Sequence, residues 1–392
     1  MFEIEFTPAI ITLLSIIVVT ALYLLLGFRH YIASVSARVR DDDAAPFPTE
    51  ADAYPSVSVI VYSEDDAENL ETLLLQILEQ DYQARFEVIV VNDGAVLSTK
   101  DVIARLERQY PNLYMTFTPL DSRSLSRKKL AITLGIKAAR YEVVILTTGN
   151  CRIESKGWLK SMARHFISGK EIVIGYATAL IPDDVRNPWK RLHSFDSVRT
   201  AVEYLSWAIA GRPYRGNCFN LAYRRSVFFK NKGFSRRLNL KFGDDDLFIN
   251  EVANRHNTAI ELSTASIVEV LEPTPQAIHK TMKLRYGYTA KWLRTWSRVF
   301  FGSCSLAWWL MGAATIALSI VGLPSIIPMI AGCVIWLAVC ITLMFTWRKT
   351  SRALGSRPLL LTVPWFMTFE SIYNLYYRIK GHFRRGSNFS WN

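Results

Sequence analysis

The sequence predicts a doubly wound α/β domain, held to a membrane by apolar helices on both of its sides. Between residues 55 and 270, short runs of valine and isoleucine alternate with helical patterns, which is typical of a parallel sheet covered on both faces. Residues 8–28 and 299–347 contain no charged side chain, and each stretch is long enough to cross a bilayer. The predicted fold class is therefore α/β with flanking transmembrane helices.

The first apolar stretch predicts an uncleaved membrane anchor, assigned to residues 1–30. Arg29, Arg38 and Arg40 follow it, while a basic start and a small-residue cleavage site are missing, so a signal peptide is less favoured. The positive-inside rule then places everything after Arg29 in the cytoplasm. Residues 31–54, which become acidic and rich in alanine and proline, are expected to form a linker.

The domain predicted over residues 55–270 consists of strands and helices that largely alternate. Apolar β-branched runs predict the strands, and leucine or isoleucine at helical spacing predicts the helices. The strands are expected at 57–61, 86–91, 142–146 and 171–177, and the helices at 68–78, 100–109, 128–139 and 157–167.

The C-terminal third predicts three kinds of membrane segment. Residues 271–298 are expected to contain an interfacial helix, because lysine, arginine and tryptophan mix with apolar residues there. Residues 299–347 predict two transmembrane helices, with a turn near Gly322 where glycine and proline interrupt the apolar run. Residues 348–392 are basic, and the stretch 358–377 within them is expected to lie in the membrane interface rather than to cross it.

Composition and motif spacing exclude several classes of protein. Lys and Arg outnumber Asp and Glu by 46 to 34, and the excess gathers beside apolar runs, which favours lipid headgroups over nucleic acid as the partner. The five cysteines show no paired spacing, so neither a disulfide framework nor a zinc site is indicated. The sequence also lacks the glycine-rich phosphate loops of dinucleotide-binding proteins and NTPases.

Polar side chains follow three of the predicted strands. In open parallel sheets ligands bind beyond the carboxyl ends of the strands, so these loops are where a site is expected. They contain Ser63 with Asp66, then Asn92 with Asp93, and then residues 148–150.

Several segments in order resemble membrane-anchored bacterial family 2 glycosyltransferases, whose catalytic domain has the GT-A fold. They read VSVIV, AENLETLLLQILEQDY and FEVIVVNDG within residues 57–94, DSRSLSRKKLAITLGIKAARYEVVILTTGNC from Asp121, GNCFNLAYRR from Gly216, and FGDDDLFIN from Phe242. The resemblance implies an inner-membrane, multi-pass enzyme with its catalytic domain in the cytoplasm. Such an enzyme would transfer a sugar from a UDP- or GDP-linked donor to a lipid-linked or saccharide acceptor, with inversion.

The resemblance also assigns the donor nucleotide to the first two loops. Asp93 corresponds to the carboxylate that contacts the nucleoside, and Asp66 and Ser63 flank it, with aspartate replacing the family's usual glutamate at position 66. Lys128 and Lys129 are candidates for the donor diphosphate. Other interpretations stay open: an Asn-Asp-Gly turn at Asp93, a helix N-cap at Asp66, and solvated surface cations for the lysines.

The third loop departs from the family. Most members carry Asp-x-Asp there to hold Mg²⁺ or Mn²⁺ against the diphosphate, because hard cations prefer carboxylate oxygens. Here the matching residues are Thr148, Gly149 and Asn150, and Asn150 offers a neutral amide oxygen as a weak ligand at most. We therefore expect weaker metal binding, or neutralisation of the diphosphate by Lys128, Lys129 or Arg285 instead.

The run of three aspartates matches the family's acidic motif, in which one carboxylate is the general base on the acceptor hydroxyl. Asp244 aligns best with that base and Asp245 next, and Asp246 is expected beside the diphosphate and acceptor. Crowding of three carboxylates is expected to raise the pKa of at least one of them. The other interpretation is an N-cap with an acidic first turn before a helix at Leu247.

Arg285 and Tyr286 lie where many relatives carry a Gln-x-x-Arg-Trp-like motif. Arg285 could clamp the diphosphate and Tyr286 could stack on donor or acceptor, although an interfacial helix over residues 278–296 explains both residues as well. The missing glutamine favours transfer of a single sugar. The alternative function is a catalytically degenerate subunit that binds nucleotide or a partner, because the paired metal-ligand aspartates are absent.

Overall fold

The computed structural model describes residues 7–48, 54–64, 67–93, 97–118, 126–180, 188–238, 240, 242–271, 275–322, 326–356 and 360–383. In these residues a mixed α/β domain is followed by long apolar helices, as predicted from the sequence. Asp66 lies outside the described residues.

A seven-stranded sheet forms the centre of the α/β domain. Its order is β3-β2-β1-β4-β8-β6-β9, and the first four strands in that order are parallel. A second sheet, β5-β10-β7, lies apart from it. The strands are β1 Val57–Ser63, β2 Phe86–Asn92, β3 Leu113–Phe117, β4 Val143–Thr148, β5 Cys151–Arg152, β6 Ile172–Ile174, β7 Ala177–Leu180, β8 Leu221–Arg224, β9 Thr258–Ile260 and β10 Val268–Leu271.

The parallel half of the sheet is buried on both faces. Every residue of β4 is buried, and β1 and β2 are nearly so, which is why these strands read as continuous apolar runs. The α/β prediction is therefore confirmed. The sheet also contains β8, which runs antiparallel between β4 and β6 and carries no long apolar run to reveal it.

The helices of the α/β domain include the four predicted ones, at closely similar bounds. Two further helices, α7 and α8, were not predicted, and α9 is the helix that the alternative interpretation of the aspartate run placed at Leu247. The helices are α3 Ala67–Leu78, α4 Leu97–Glu107, α5 Arg127–Ala138, α6 Trp158–Ile167, α7 Pro188–Ile209, α8 Arg225–Lys230 and α9 Asp246–Val252, counted after α1 Pro8–Leu22 and α2 Arg29–Ala44.

The strand expected at 171–177 is two strands in different sheets. The chain turns at Gly175, whose N–H donates to the carbonyl of Asn220. A Cβ at this position would lie 2.6 Å from the Asn220 side chain, so only glycine fits this close approach. The prediction of one strand is therefore wrong, because the apolar run continues through the break.

The segment expected as a linker, residues 31–54, is helical as far as Ala44. With the short π-helical segment Tyr23–Phe28 it continues the anchor into one long helix, Pro8–Ala44. This helix docks on the domain, because Arg38 donates to the carbonyl of Ile260 and buried Asp42 accepts from the N–H of Leu262. The acidic composition marks a docking face rather than a flexible connection.

The interfacial helix expected within 271–298 is also different in the structure. Helix α10, Pro275–Thr289, ends before a 3-10 turn, and α11 begins at Thr295 and continues to Val321. The side chains of Arg285 and Lys283 on α10 are buried against protein groups rather than displayed toward headgroups. Helices α12, Ile326–Ala353, and α13, Val363–Phe383, complete this part of the chain.

Three of the described helices are long and apolar enough to cross a membrane, in agreement with the predicted anchor and the two predicted spans. They are the helix Pro8–Ala44, α11 and α12. Helix α1 packs along α11 and α12, while α13 contacts α10, α11 and α12. The apolar helices therefore form one body that adjoins the α/β domain through α2, α7 and α10.

Candidate active site

The acidic turn before α9 is buried and has a special backbone conformation. Gly243 has a φ of +97°, and a Cβ there would lie 2.4 Å from a methyl carbon of Leu247. The three aspartates that follow are each less than 10% exposed. Buried carboxylates require compensating partners, so the groups around them define the site.

Asp245 and Asp246 cap the start of α9. The Asp245 carboxylate accepts from the N–H of Asp246 at 2.7 Å and from the N–H of Cys218 at 3.3 Å. Asp246 accepts from the N–H of Leu247 and from the hydroxyl of Thr289. The helix-capping interpretation is therefore correct for these two residues, and their oxygens face protein donors.

Asp244 is held between two cations. Lys128 Nζ lies 3.3 Å from its Oδ2, and Arg285 Nη2 lies 3.3 Å from its Oδ1. The guanidinium of Arg285 also lies over the ring of Phe242, at 5.0 Å from its centroid. The structure thus brings together Asp244, Lys128 and Arg285, which the sequence analysis named from three separate segments.

The carboxylates of this cluster differ in proton affinity. Burial and the neighbouring Asp245 raise the pKa of Asp246 to about 6. Burial alone would also raise the pKa of Asp244, but Lys128 and Arg285 lower it to about 2. The expectation that one pKa is raised therefore holds for Asp246, while Asp244, the expected base, is shifted the other way.

Lys129 does not enter the site. Its fully buried ammonium donates to the carbonyls of Arg237, Leu240 and Phe242 at 2.7 to 2.9 Å. Three such bonds use all three donors of the ammonium, so Lys129 fastens the loop that leads into the acidic turn. These contacts do not support its assignment to the nucleotide.

The loops after β1 and β2 form a second polar group around Asp93. Tyr62 donates its hydroxyl to Asp93 Oδ2 at 2.9 Å, and Arg127 pairs with Oδ1 at 2.7 Å. The Asp93 N–H donates to the carbonyl of Ser63. The buried Ser63 hydroxyl has no hydrogen-bond partner among the described residues. Asp93 and Ser63 therefore share the predicted edge of the sheet.

Residues 148–150 do not fit a hard divalent cation. Asn150 Oδ1 accepts from the hydroxyl of Thr148 at 2.6 Å, and Gly149 fits closely against Ser63. Mg²⁺ and Mn²⁺ favour carboxylate oxygens, and this loop supplies none. The weak-ligand prediction for Asn150 therefore has no support in its contacts.

Among the described residues, Cys218, Asp244 and Asp245 form a group that could reach a metal ion. One potential ligand atom from each lies within 4.8 Å of the others. However, Lys128 Nζ is 2.9 Å from Cys218 Sγ, and burial raises the pKa of this thiol to about 12. A neutral thiol beside an ammonium does not suit a hard cation, so this group also fits poorly.

Comparison with known proteins identifies the family of the α/β domain. Residues 56–243 match the family model described as glycosyl transferase family 2. These residues form a family 2 glycosyltransferase domain. The matched range includes the Asp93 group and Lys128, and it ends at Gly243, immediately before the aspartates.

A curated relative and a solved structure are similar to this chain. A dolichyl-phosphate beta-glucosyltransferase of Trichomonas vaginalis is 30% identical over 115 residues, or 27% of this chain. The match spans about one third, 34%, of that relative's length. A mannosyltransferase from Pyrobaculum calidifontis, solved with GDP-Man and Mn²⁺, superimposes with a TM-score of 0.53 at 15% identity, covering 94% of this chain and 98% of that one. This second likeness supports the fold alone.

The sequence analysis missed four residues of the candidate site. Tyr62 and Arg127 contact Asp93, Cys218 contacts Lys128, and Arg215 lies over the ring of Tyr286 with its Cζ 4.4 Å from the centroid. Arg127 and Cys218 lie inside the segments that carry the family resemblance, so their position was the available signal. Nothing in sequence spacing connects Arg215 to Tyr286.

Proposed function

We propose that this family 2 glycosyltransferase transfers a single sugar, with inversion, from a UDP- or GDP-linked donor to a lipid-linked or saccharide acceptor. The observation that carries the proposal is Asp244, a buried carboxylate held by Lys128 and Arg285 in a family 2 domain. The named activity of the curated relative, on a dolichyl phosphate, supports a lipid-linked acceptor. The GDP-Man bound by the solved mannosyltransferase supports a nucleotide-linked donor.

In this proposal the nucleoside occupies the end of the site near Asp93 and Ser63. The Asp93 carboxylate and the Ser63 hydroxyl can bond nucleoside N–H and hydroxyl groups. The unpartnered, buried Ser63 hydroxyl supports this role, because such a group is costly unless a ligand bonds it. Asp66 remains a candidate for the same end.

Lys128 and Arg285 neutralise the donor diphosphate in our proposal, in the role that a metal ion has in most of the family. An arginine guanidinium and a lysine ammonium both bind phosphate oxygens strongly. The poor fit of residues 148–150 to Mg²⁺ or Mn²⁺ supports this assignment.

Donor binding would then activate the base. In the free protein the two cations hold Asp244 in its ionised, weakly basic form. When they turn to the diphosphate, Asp244 loses its partners and gains an anionic neighbour, and both changes raise its pKa. Asp244 can then withdraw the proton of the acceptor hydroxyl as that oxygen attacks the anomeric carbon. The bond from this carbon to the diphosphate oxygen breaks, and the nucleoside diphosphate leaves with its charge balanced by Lys128 and Arg285.

We propose that the three apolar helices cross an inner cell membrane and leave the α/β domain in the cytoplasm. The positive flank after the first helix supports this orientation. Helix α13 would lie in the interface, because Trp365, Phe369, Ile372 and Ile379 are exposed along it.

The donor site is tested by calorimetric titration of UDP and GDP into the purified full chain, with Mn²⁺ and with EDTA. We expect one nucleotide to bind, with affinities that differ less than about twofold between the two conditions, since cationic side chains balance the diphosphate charge. In Asp93→Ala the affinity should fall about tenfold, as expected for loss of a charged hydrogen-bond partner.

The matched control is Asp101→Ala, which removes an exposed carboxylate from α4 and should bind like the wild type. If the nucleotide bound only in the presence of Mn²⁺, the assignment of Lys128 and Arg285 to the donor diphosphate would be refuted. Absence of binding for both nucleotides would refute the proposed donor.

The activation of Asp244 predicts a difference between two pH profiles. A base works only when deprotonated, so the rate falls as pH drops through its pKa. Because that pKa is about 2 in the free protein and higher in the donor complex, the acid limb of kcat should lie at higher pH than the limb of kcat/KM for the donor. Asp246 titrates in both profiles, and an Asp246→Asn background removes its contribution. If the acid limbs of kcat and kcat/KM coincided, the result would argue against the release of Asp244 from Lys128 and Arg285.

The second candidate function is a subunit that binds nucleotide without catalysis. The absence of a carboxylate at residues 148–150 favours it. The two functions predict the same nucleotide binding, so only a transfer assay separates them.

A further inference from the structure

A cavity of about 300 Å³ lies where the glycosyltransferase domain meets the apolar helices. Arg215 and Tyr286 line its domain side, and Phe301, Gly302 and Ser305 of α11 line its membrane side. Helices α7, α10 and α13 complete the wall. The cavity therefore connects a residue beside Arg285 with the first turns of a candidate membrane span.

Arg215 has an unusual environment in this wall. It is 7% exposed, and its guanidinium lies over the rings of Tyr214 and Tyr286, at 5.8 and 4.4 Å from their centroids. Its buried Nε–H has no acceptor among the described residues. Burial opposes its charge, while Tyr214 and the carboxylates of Asp246 and Glu203 raise its pKa, although none of the described carboxylates forms an ion pair with it. The two rings hold the guanidinium plane in place without neutralising its charge.

The neighbouring cations of the cavity are paired. Arg199 forms ion pairs with Glu203 and Glu370, and Lys283 pairs with Asp196. A buried cation that no carboxylate contacts directly gains further stabilisation from a ligand that supplies negative charge. Arg215 therefore marks an anion site, and its fork of N–H donors suits a phosphate group.

The position of the cavity indicates what kind of phosphate it would bind. One side of the cavity is lined by the start of α11, a candidate membrane span, so an apolar chain attached to a phosphate bound there would begin beside that span. A soluble phosphate would gain nothing from that side. We infer that Arg215 binds the phosphate of the membrane lipid to which the sugar-accepting group is linked.

This inference rests on the proposed function and adds the acceptor to it. Tyr286 lines the cavity, and the adjacent residue, Arg285, pairs with Asp244. Helix α10 thus carries one residue at the acceptor cavity next to one at the catalytic carboxylate. A phosphate bound at Arg215 would have its chain in the membrane and its oxygens near the α10 end of the site.

The test is binding of radiolabelled dodecyl phosphate to the full chain in phosphatidylcholine nanodiscs, with empty nanodiscs as background. We expect Arg215→Met to weaken binding about tenfold to a hundredfold, which is the range for loss of a bidentate charged pair. Arg215→Lys should recover part of the affinity. The matched control is Arg212→Met, which removes an exposed arginine over Trp207 and should bind like the wild type.

Unlabelled competitors identify the source of the phosphate. We expect dodecyl phosphate to displace the label, and dodecanol and inorganic phosphate to do so only at far higher concentration. Displacement by inorganic phosphate at the same concentration would overturn the lipid assignment. Equal binding by Arg215→Met and the wild type would overturn the site.

Nucleotide affinity, measured on the same samples, separates this inference from the proposed function. If Arg215→Met binds nucleotide like the wild type, its donor site is folded and a loss of dodecyl phosphate is specific. If that variant does not fold, Tyr286→Leu removes the ring under the guanidinium and should weaken dodecyl phosphate binding; an unchanged affinity there overturns the inference. Failure of the wild type to bind any nucleotide refutes the proposed function and with it the acceptor role, whereas the phosphate site at Arg215 is tested by dodecyl phosphate binding alone.

Discussion

Replacing Asp244 with asparagine is expected to lower kcat about 10²- to 10⁴-fold, the usual contribution of a general base. The nucleotide should bind with at least its wild-type affinity, because Lys128 and Arg285 lose their protein carboxylate and become more available to the diphosphate. Single-turnover transfer and calorimetry on the same variant measure the two quantities. This combination separates a base from a residue that merely supports the fold.

Glu251→Gln is the matched control for this change. It removes a partly exposed carboxylate from the same helix, α9, where Glu251 pairs with Arg237. We expect its kcat to lie within about twofold of the wild type, as for most partly exposed ion pairs. A wild-type kcat in Asp244→Asn would transfer the role of base to Asp245 or Asp246.

Replacing Lys129 with methionine is expected to destabilise the domain by on the order of 3 kcal/mol. Methionine keeps much of the volume but leaves the carbonyls of Arg237, Leu240 and Phe242 without their donor. The corresponding fall in melting temperature is roughly 6–12 °C for a domain of this size. Because the same loop positions Gly243 and Asp244, transfer should fall as well.

Thermal unfolding of the purified chain measures this effect, with Lys137→Met as the control. Lys137 lies on the same helix, α5, but is exposed to solvent. The control should unfold within about 1 °C of the wild type, as surface substitutions usually do. A stable Lys129→Met variant with weakened nucleotide binding would restore the ligand role that the contacts of Lys129 oppose.

The strands of the parallel half of the sheet could be predicted because strands buried on both faces have mainly apolar sequences. Strands β1, β2 and β4 are buried on both faces and therefore consist almost entirely of apolar residues. Helix α7 has no comparable apolar pattern from which it could be recognised. It is surrounded by α2, α10, α11 and α13, and it buries charged residues such as Arg199 that are acceptable only through partners on other helices.

The acidic turn and the cations around it were likewise predictable only in part from the sequence. Resemblance along the chain found Asp244, Lys128 and Arg285, but it could not separate Lys128 from Lys129. Consecutive residues on a helix point about 100° apart, so one ammonium reaches Asp244 while the other lies under the preceding loop. That distinction depends on how α5 is rotated against the sheet, which tertiary packing determines.

Contacts between side chains of distant segments could not be predicted from the sequence, because they also depend on tertiary packing. Arg215, in the loop after α7, and Tyr286, on α10, meet only through tertiary packing, and the cation pattern gave no indication of their stacking. The prediction of a linker was wrong for a similar reason. The hydrogen bond that Asp42 accepts from the N–H of Leu262 joins residues far apart in the sequence, so the sequence pattern does not reveal it.

The central claim, that the chain catalyses sugar transfer at a membrane, is tested most directly by a transfer assay in the presence of EDTA. The full chain, in native membranes, is incubated with radiolabelled UDP- and GDP-sugars, and the label is followed into the organic extract. We predict that one donor labels the lipid fraction and that Asp244→Asn membranes do not. Nucleotide binding without transfer from any of these donors would contradict catalysis and leave the binding subunit as the function.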